Sequence, residues 1–407
     1  MGTTKLYWDD PFALTFESEG ASLEAWEGKP SLVLPATRFY PEAGGQLGDT
    51  GWLQIADARL DVVDTQIADD GTIHHILDRA PAAFETGPVQ GEVLRERRRD
   101  HMAHHTAQHM LSAALMDVAR AETVSSRLGS TSCTIDLDVP GVADRVLARA
   151  EDLVNGIVRD DVGVRAFFPS ASELASLKLR RAPKVTEGIR LIDIEGFDLS
   201  PCGGTHCTRT GQVGVVRVVA TEKYKGKVRI SFHAAARAVV DMRAKEETLA
   251  ALMADLTCGA QDLPTALAKL RSDLQKTRES LGKTRAELAT KTADEALAIH
   301  PPLADGADTR IVLMTEGSDV AVLRALAGRL TGRPDVVAMC FAIEGDATDA
   351  LVVVQRGAGA KLDCGAWLKE QAAAHGGRGG GRPERAEGRL PVSSVRRLAA
   401  SPLSTYP

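Results

Sequence analysis

The sequence predicts an α+β fold in four parts: a small N-terminal β-barrel, an α+β region with an antiparallel sheet, a helical hairpin and a C-terminal α/β domain. Three observations lead to this prediction. Short apolar runs separated by Gly, Asp and Pro fill the N-terminal part, leucines at heptad-like spacing run from Leu267 to Leu288, and buried-type strands alternate with helices after Asp308. The predicted parts are residues 1–93, 94–238, 239–302 and 303–407.

The composition of the 407-residue chain is ordinary for a soluble protein, with 44% hydrophobic and 26% charged residues. A formal net charge of −6 argues against broad, non-specific nucleic-acid binding, and an aromatic content of 4% argues against a large stacking platform. The N-terminus lacks the basic and apolar segments of a signal peptide, and no apolar run approaches membrane-spanning length. Six unevenly spaced cysteines do not suggest a disulfide framework, so we expect a reduced, cytoplasmic protein.

The N-terminal part is predicted to consist of short strands, because turn residues bound its apolar runs. These strands are residues 22–26, 31–34, 58–63 and 72–77. A glycine-rich stretch, Thr37–Gly51, begins with the pattern Thr-x-Phe-Tyr-Pro-x-x-Gly-Gly-Gln. A hairpin loop would account for these glycines and a ligand-binding loop is the alternative; this segment alone favours the hairpin loop.

Residues 95–118 predict one helix, rich in good helix formers. Its His-Thr-Ala-Gln-His segment spaces His105 and His109 by four residues, which places both imidazoles on one helix face. His101 and His105 form an equivalent pair, so spacing alone does not choose between them. A lone histidine pair is more often structural than metal-binding, and further ligands are needed to favour a metal site.

Such ligands lie further along the chain, in Pro201-Cys202-Gly203-Gly204-Thr205-His206-Cys207. Cys202 and His206 are four residues apart on a loop that two glycines make pliable. A thiolate and an imidazole are good zinc ligands, and a histidine pair would complete a four-coordinate site. Around this loop we predict helices laid on a mostly antiparallel sheet. The predicted elements are strands 133–137, 162–168, 189–194, 213–221 and 227–234, and helices 142–158 and 174–179.

The chain from residue 235 to 298 is predicted to be helical, with a break at Leu263-Pro264 and an end at His300-Pro301-Pro302. We expect this hairpin to act as a spacer or a dimer contact. Beyond it, the predicted elements are strands 311–314, 336–342 and 350–355 and helix 320–330. Residues 375–384, His-Gly-Gly-Arg-Gly-Gly-Gly-Arg-Pro-Glu, have the composition of a flexible loop, whose backbone N–H groups and arginines could also hold phosphates.

Taken together, the Thr-x-Phe-Tyr-Pro-x-x-Gly-Gly-Gln, His-Thr-Ala-x-His and Cys-Gly-Gly-Thr-His motifs resemble those of the editing domain of alanyl-tRNA synthetases and of the free-standing AlaX editing proteins. The Gly-Gly-Arg-Gly-Gly-Gly-Arg-Pro-Glu segment resembles the DHHA1 domain, which long-form AlaX proteins also carry. The resemblance covers nearly the whole chain, with the motifs in the family's order. It implies an editing domain in residues 94–238 and a DHHA1 domain in residues 303–407.

The resemblance also implies a Zn²⁺ ion with four protein ligands. These ligands are His105, His109, Cys202 and His206. His101 and His104 are thereby placed outside the set. Cys207 departs from the family pattern directly after the last ligand, and we expect it to behave as a small hydrophobic residue. The ion could activate water, bind the substrate's amino group or only order the site, and the sequence leaves these roles open.

The function implied by the resemblance is hydrolysis of mischarged alanine-specific tRNA, with seryl-tRNA as substrate and glycyl-tRNA as a further candidate. A pocket that fits alanine rejects serine and glycine poorly, so a second, hydrolytic site is needed. Because the sequence begins at the editing region, we expect a deacylase acting in trans rather than a synthetase. Thr37 and Gln46, on the glycine-rich stretch, are the predicted catalytic-site residues that hydrogen-bond the serine hydroxyl group.

The expected partner is tRNA, with no membrane association and with a homodimer through the helical or DHHA1 region as a candidate assembly. Arg229, beside Lys223 and Lys225, is predicted to hold the acceptor end, and Arg378 and Arg382 to contact other phosphates. The main alternative is a non-catalytic, zinc-stabilised tRNA-binding protein. A deacylase for another small aminoacyl-tRNA also remains open, whereas a phosphoesterase is disfavoured because the chain lacks an Asp-His-His triplet.

Overall fold

The computed structural model of the protein shows two compact units, which comprise residues 1–251 and 252–407. The residues that the structure describes are 2–81, 84, 87–183, 185–303, 307–345 and 347–400. Within those ranges, no helix combines the length and the apolar character needed to span a bilayer.

Short strands separated by turns form the first part of the N-terminal unit. They are β1 (Thr4–Lys5), β2 (Thr15–Ser18), β3 (Ser22–Trp26), β4 (Lys29–Val33), β5 (Ala36–Thr37), β6 (Gly51–Ile55), β7 (Ala58–Ile67), β8 (Ile73–Leu77) and β9 (Val89–Val93). Seven of them form a sheet in the order β2-β9-β6-β7-β8-β4-β3, in which all neighbours are antiparallel. The remaining two, β1 and β5, form a small parallel pair. Phe39, Leu53 and Val93 belong to the core of this region.

This sheet is open over the described residues, so the predicted N-terminal β-barrel is wrong. A closed barrel requires its end strands to exchange backbone hydrogen bonds, and β2 and β3 do not pair. Four of the five residues of β3 are exposed, so this strand has no buried face that closure would cover. The glycine-rich stretch is also not a simple hairpin loop, because the strands that it joins, β5 and β6, do not pair with each other. It also contacts a strand further along the chain, where Leu128 N donates to Gly45 O at 2.6 Å.

Helix α1 (Arg95–Ala119) forms the centre of this unit. Fifteen of its residues are buried, on several sides of the helix, which is typical of a core helix. In its first turn, fully buried Arg98 forms an ion pair with Asp49, with 3.0 Å between Nε and Oδ2. The same carboxylate accepts from Tyr40 N at 2.7 Å. This buried pair therefore connects the glycine-rich stretch to α1.

The rest of the N-terminal unit is antiparallel α+β, which confirms that prediction. Its elements are β10 (Thr123–Leu128), β11 (Cys133–Leu137), α2 (Asp144–Asp160), β12 (Val164–Phe167), α3 (Ala171–Ser176), β13 (Leu191–Ile194), β14 (Asp198–Pro201), β15 (Val216–Tyr224), β16 (Lys227–Ala234) and α4 (Ala235–Leu256). The strands form two antiparallel sheets in the orders β10-β11-β16-β15 and β12-β13-β14. Leu111 of α1, Val154 of α2 and Ile230 of β16 share one core.

The C-terminal unit begins with a long helix, α5 (Leu263–Ile299), that has a proline in its first turn. It starts at the predicted Leu263-Pro264 break and ends before His300. The remaining elements are β17 (Thr309–Glu316), α6 (Val320–Leu330), β18 (Val336–Ile343), β19 (Asp349–Arg356), α7 (Cys364–His375), β20 (Arg378–Arg382), β21 (Arg385–Pro391) and α8 (Val392–Ala400). Ala289, Ala293 and Ala296 of α5 belong to the core that includes α6.

The C-terminal sheet is mixed, which corrects the predicted α/β arrangement. Its order is β17-β18-β19-β21-β20, and only β17 and β18 are parallel. The reason lies in the connections and the strand order. Helix α6 carries the chain from β17 to a parallel β18, whereas the short links from β18 to β19 and from β20 to β21 form antiparallel pairs. Helix α7 carries the chain from β19 to β20, which run in the same direction but are separated by the antiparallel β21. The glycine-rich residues predicted as a flexible loop form β20, the edge strand of this sheet.

Candidate metal centre

Helix α1 and the loop after β14 bring four potential metal ligands together. They are His105, His109, Cys202 and His206, whose ligand atoms all lie within 4.8 Å of one another. Cys202 Sγ is 3.3 Å from His105 Nε2 and 3.4 Å from His206 Nε2. The first two histidines share a face of α1 because they are four residues apart. The other two ligands lie on residues 201–207, which we call the metal loop.

The orientation of His105 is set by Gln46. His105 Nδ1 lies 2.7 Å from Gln46 Oε1, while Gln46 Nε2 donates to Thr205 Oγ1 at 2.9 Å. An amide oxygen only accepts hydrogen bonds, so His105 Nδ1 carries the proton. In the neutral ring this leaves Nε2, on the Cys202 side, as the nitrogen that can bind a metal ion.

His109 is held by a carboxylate. Its Nδ1 atom lies 3.3 Å from Asp198 Oδ2 and 3.0 Å from Ser200 Oγ, and Arg180 Nε donates to Asp198 Oδ1 at 2.6 Å. Burial lowers the pKa of His109, but the Asp198 carboxylate and the Cys202 sulfur raise it above its ordinary value. His109 Nε2 is buried and has no hydrogen-bond partner among the described residues. Because a buried polar atom without a partner is energetically costly, His109 Nε2 is the clearest indication that this cluster holds a metal ion.

His206 is held by Thr106. The two side chains are 3.2 Å apart, from Oγ1 to Nδ1, and the Thr106 hydroxyl donates to Met102 O at 2.8 Å. The hydroxyl oxygen therefore accepts from His206 Nδ1, and it also accepts from Cys207 N at 3.1 Å. All three histidines thus use Nδ1 as an outward donor and leave Nε2 for a metal ion, the arrangement expected of metal-binding histidines.

The pKa shifts of Cys202 and His206 also fit a metal ion, whereas the raised pKa of His109 means that an ion would have to displace a proton there. Burial alone would raise the pKa of the Cys202 thiol, but His105 and His206 lower it well below its ordinary value. Burial and the neighbouring His105 lower the pKa of His206 well below its ordinary value. Thiolates and neutral imidazoles are the forms that bind metals, so three nitrogens and one sulfur could hold an ion here.

The backbone of the metal loop is fixed by two side chains. Arg190 Nη1 donates to the carbonyl oxygens of Cys202 and Gly204 at 3.0 and 2.9 Å. Trp8 Nε1 donates to Gly203 O at 2.9 Å. Three successive carbonyl groups are therefore held by protein donors.

Gly204 is the point at which this loop approaches α1 most closely. A β-carbon at Gly204 would overlap the His105 ring at Cε1 and Nδ1. At Gly203, the nearest atom to a β-carbon would be Trp8 Cζ2, at 4.0 Å. Of two consecutive glycines, one makes room for a potential metal ligand and the other does not.

A cavity of about 700 Å³ reaches the cluster at His105 and Cys202. On its wall, Gln108 donates from Nε2 to Ser112 Oγ at 2.8 Å, which leaves the Gln108 carbonyl oxygen without a hydrogen-bond partner among the described residues. Glu187 is the only carboxylate in the described lining. Further lining residues are Tyr7, Trp8, Tyr40, Ser125, Ser126, Arg181 and Arg190. The cavity thus combines aromatic, hydroxyl and cationic groups beside the potential metal site.

Thr37 and Gln46, predicted to contact the substrate, are fully buried and do not line this cavity. Thr37 Oγ1 lies 2.8 Å from His75 Nε2 and accepts from Phe39 N at 3.1 Å. Both polar groups of the Gln46 amide are engaged by His105 and Thr205. A substrate contact for either residue stays a prediction, and their contacts favour supporting roles.

The three arginines predicted to contact tRNA lie in different environments. Arg229 forms a bidentate pair with Asp136, with distances of 2.6 and 2.9 Å, and lies 3.6 Å from the Tyr224 ring centroid. Arg378 and Arg382 are exposed on β20, and neither side chain has a hydrogen-bond or ion-pair partner among the described residues. A tRNA contact for any of them stays a prediction, for which Arg378 and Arg382 are the better placed.

The remaining histidines of α1 lie outside the cluster. His104 Nε2 accepts from Ala234 N at 3.1 Å, and its Nδ1 atom lies 2.8 Å from Asp100 O. Burial, chiefly, lowers the pKa of His101 to about 4. Burial raises the pKa of the Cys207 thiol to about 12, so this thiol is neutral and packs in the core.

Sequence reasoning missed the residues that hold the ligands. They are Trp8, Thr106, Asp198 and Arg190. The position of Thr106 inside the His-Thr-Ala-Gln-His motif could have identified it. The same is true of Gln108, which lines the cavity. No local signal points to Trp8, which is 195 residues from the carbonyl group that it contacts.

Three family models match the chain. The model described as "tRNA synthetases class II (A)" matches residues 13–96. "Threonyl and Alanyl tRNA synthetase second additional domain" matches residues 189–231, which contain the metal loop. "DHHA1 domain" matches residues 308–401, which contain β20.

Curated relatives of the chain include alanine--tRNA ligases. The ligase of Sulfurisphaera tokodaii is 32% identical over 277 residues, which are 66% of this chain and 30% of the ligase. That of Halorubrum lacusprofundi is 34% identical over 256 residues, 61% of this chain and 27% of the ligase. That of Metallosphaera sedula is 34% identical over 241 residues, with corresponding shares of 56% and 26%. The chain therefore spans less than a third of the length of these relatives.

Among solved structures, the C-Ala domain of Aquifex aeolicus alanyl-tRNA synthetase matches 23% of this chain and 88% of its own, with 22% identity and a TM-score of 0.21. The family models and the curated relatives agree with the three sequence motifs. The chain is an AlaX-like protein, related to the editing and C-terminal domains of alanyl-tRNA synthetase.

Proposed function

We propose that this protein is an aminoacyl-tRNA deacylase that acts in trans on mischarged alanine-specific tRNA, using a Zn²⁺ ion held by the four-residue cluster. The observation that carries the proposal is the cavity that reaches the cluster at His105 and Cys202. A purely structural metal site does not require such an opening. In hydrolysis, water's oxygen joins the acyl carbon, the bond from that carbon to the ribose oxygen breaks, and the ribose oxygen takes a proton.

Zinc suits the donor set of three imidazoles and one thiolate. Tetrahedral zinc, with bonds of about 2.3 Å to sulfur and about 2.0 Å to nitrogen, separates these atoms by roughly 3.5 Å. The sulfur–nitrogen distances of 3.3 and 3.4 Å are close to that value. Four protein ligands fill a tetrahedral ion, so a bound zinc ion would polarise a carbonyl group or a water molecule as a Lewis acid only by adding a fifth ligand or releasing one of the four.

The protein's own contribution is to arrange the ligands in advance. Gln46, Asp198 and Thr106 each hold one imidazole with Nε2 available. Such outer partners orient the ring and increase its basicity, and their loss typically lowers metal affinity or activity about 10- to 100-fold. Gln46 therefore acts in this proposal as a positioning residue rather than as a contact to the substrate.

Substrate selection is assigned to Gln108. Gln108 lines the cavity, and its carbonyl oxygen has no hydrogen-bond partner among the described residues, which makes it the proposed acceptor for the serine hydroxyl group. A site built to hydrogen-bond a hydroxyl group disfavours an analogue that lacks it by about 10⁴ or more. Seryl-tRNA is therefore the proposed substrate and glycyl-tRNA a weaker one. Correctly charged alanyl-tRNA is not expected to be hydrolysed.

The test is deacylation of seryl-, glycyl- and alanyl-tRNA specific for alanine by the zinc-loaded protein, with no synthetase present. We expect seryl-tRNA to be hydrolysed well above the rate in buffer, and Gln108→Met to reduce that rate while the slow glycyl-tRNA rate is unchanged. The non-catalytic alternative predicts bound zinc and bound tRNA with no ester hydrolysed faster than in buffer.

A further inference from the structure

A second cavity, of about 490 Å³, lies beside the one that reaches the cluster. Lys5 and Trp8 line both cavities, and Asp9 and Phe168 line only the second. Phe168, which follows β12, is 53% exposed although its ring is large and apolar. The metal centre accounts for none of these features except the bond from Trp8 to Gly203.

Four aromatic rings run between the two cavities in an unbroken series. Tyr40 and Tyr7 have centroids 5.4 Å apart, Tyr7 and Trp8 5.8 Å, and Trp8 and Phe168 5.6 Å, all edge to face. In a chain with only 4% aromatic residues, this concentration at one site is unusual. Lys5 Nζ lies 4.6 Å from the Trp8 ring centroid, so a cation accompanies the series.

We propose that the second cavity binds the nucleobase next to the terminal adenosine of the tRNA acceptor end, stacked on Phe168 and bordered by Trp8, while the terminal ester lies at the metal centre. This inference rests on the proposed function. The shared wall formed by Trp8 would place consecutive nucleotides of a single strand in the two cavities.

The chemistry of the second cavity favours a nucleotide over an apolar side chain. Aromatic rings stack on any base, and Lys5 provides a positive charge for the linking phosphate. Asp9 provides a carboxylate, which accepts from the exocyclic amino group of cytosine. All tRNAs end in C-C-A, so the penultimate base is a cytosine.

The experiment compares two ligands on the zinc-loaded, full-length protein: AMP, which has one base, and the tetranucleotide A-C-C-A. We expect Phe168→Ala to weaken A-C-C-A binding by about 5- to 100-fold, the range for one stacked base, and to leave AMP binding unchanged. Phe167→Ala is the matched control, because Phe167 lies 4.5 Å from the Arg165 guanidinium group and does not line the second cavity. Phe168→Tyr should retain the wild-type affinity.

The same variants are then assayed for hydrolysis of seryl-tRNA and of seryl-adenosine. We expect Phe168→Ala to raise KM for seryl-tRNA by the same factor, with kcat and the seryl-adenosine rate unchanged. Unchanged A-C-C-A binding, or an equal loss for AMP, would overturn the proposal. If the wild type hydrolyses neither ester, the proposed function fails, and the binding comparison still decides this inference.

Discussion

The metal loop and β20 both contain consecutive glycines, but the glycines leave room for different neighbours. In the metal loop, Gly204 leaves room for the ring of His105. In β20, the glycines leave room for structural neighbours: a β-carbon at Gly379 would lie 2.8 Å from Leu368 Cδ2 of α7, and one at Gly381 would lie 2.5 Å from Ala386 Cα of β21. Glycine density thus predicts that something approaches closely, but not what approaches.

The charged and polar side chains of the two segments differ as well. In and around the metal loop, buried groups have partners, with His109 Nε2 as the notable exception. On β20, Arg378 and Arg382 are exposed and have no partner among the described residues. The metal loop therefore has the properties of a preorganised site, and β20 those of a surface suited to phosphate groups.

The largest expected effect tests the preorganised site. Cys202→Ala should abolish stoichiometric zinc binding and reduce deacylation to the rate in buffer, because it removes the only thiolate of the cluster. Zinc content and single-turnover deacylation are the measurements. Cys207→Ala is the control, since that neutral thiol should be dispensable for zinc. Full activity in metal-free Cys202→Ala would refute the metal-centred account.

The second prediction separates the two glycines of the metal loop. Gly204→Ala should lower zinc affinity by at least about 10- to 100-fold, because the added methyl group displaces His105. Gly203→Ala should retain wild-type affinity, since its β-carbon has space. Competition with a chromogenic chelator measures both. Equal affinities would show that the loop can move away from α1 at little cost.

The third prediction concerns the stability of the C-terminal unit. Gly381→Ala should destabilise it by about 1–3 kcal/mol, because the added methyl group meets the backbone of β21. Gly380→Ala should be close to neutral, since its nearest neighbour would be Lys369 Cε at 3.7 Å. Urea unfolding measures both, and zinc content should not change. A neutral Gly381→Ala would mean that the β20–β21 pair shifts without loss.

The smallest expected effect tests the arginines of β20. Replacing Arg378 and Arg382 together by alanine should weaken tRNA binding several-fold and reduce the slope of log K against log salt by up to about 2. Arg329→Ala is a matched control, because its charge is paired with Asp294 at 2.8 Å. Filter binding across a salt series measures the slope. The same loss in the control would indicate a general charge effect.

Elements with strong local patterns could be predicted from the sequence. Strand 133–137 and helix 320–330 have the predicted bounds, and α1 ends one residue later than predicted. The prediction of a closed N-terminal barrel was wrong because closure requires the end strands β2 and β3 to pair with each other. The exposed residues of β3 do not favour that pairing. The predicted α/β arrangement of the C-terminal domain was corrected because β21 pairs between β19 and β20 and is antiparallel to both, which strand composition does not reveal.

The candidate site shows the same division. The four cluster residues lie in two sequence motifs, each with two potential ligands four residues apart, and the structure brings the two motifs together. Arg190 donates to two backbone carbonyl groups of the metal loop and Trp8 to one, and side-chain bonds to the backbone produce no periodic pattern in the sequence. Gln46 carries a motif signal and lies beside His105, but its contacts to His105 and Thr205 depend on the three-dimensional arrangement and could not be predicted from the motif.

The bonds that hold the metal loop and the three imidazoles bear on the order in which this protein matures. Small zinc modules remain unfolded until the ion arrives, because the ion itself gathers the ligands. Here Arg190, Trp8, Gln46, Asp198 and Thr106 gather them by protein contacts alone. Under the proposed function, we therefore expect chelator-treated protein to keep its fold and to regain activity when zinc is restored.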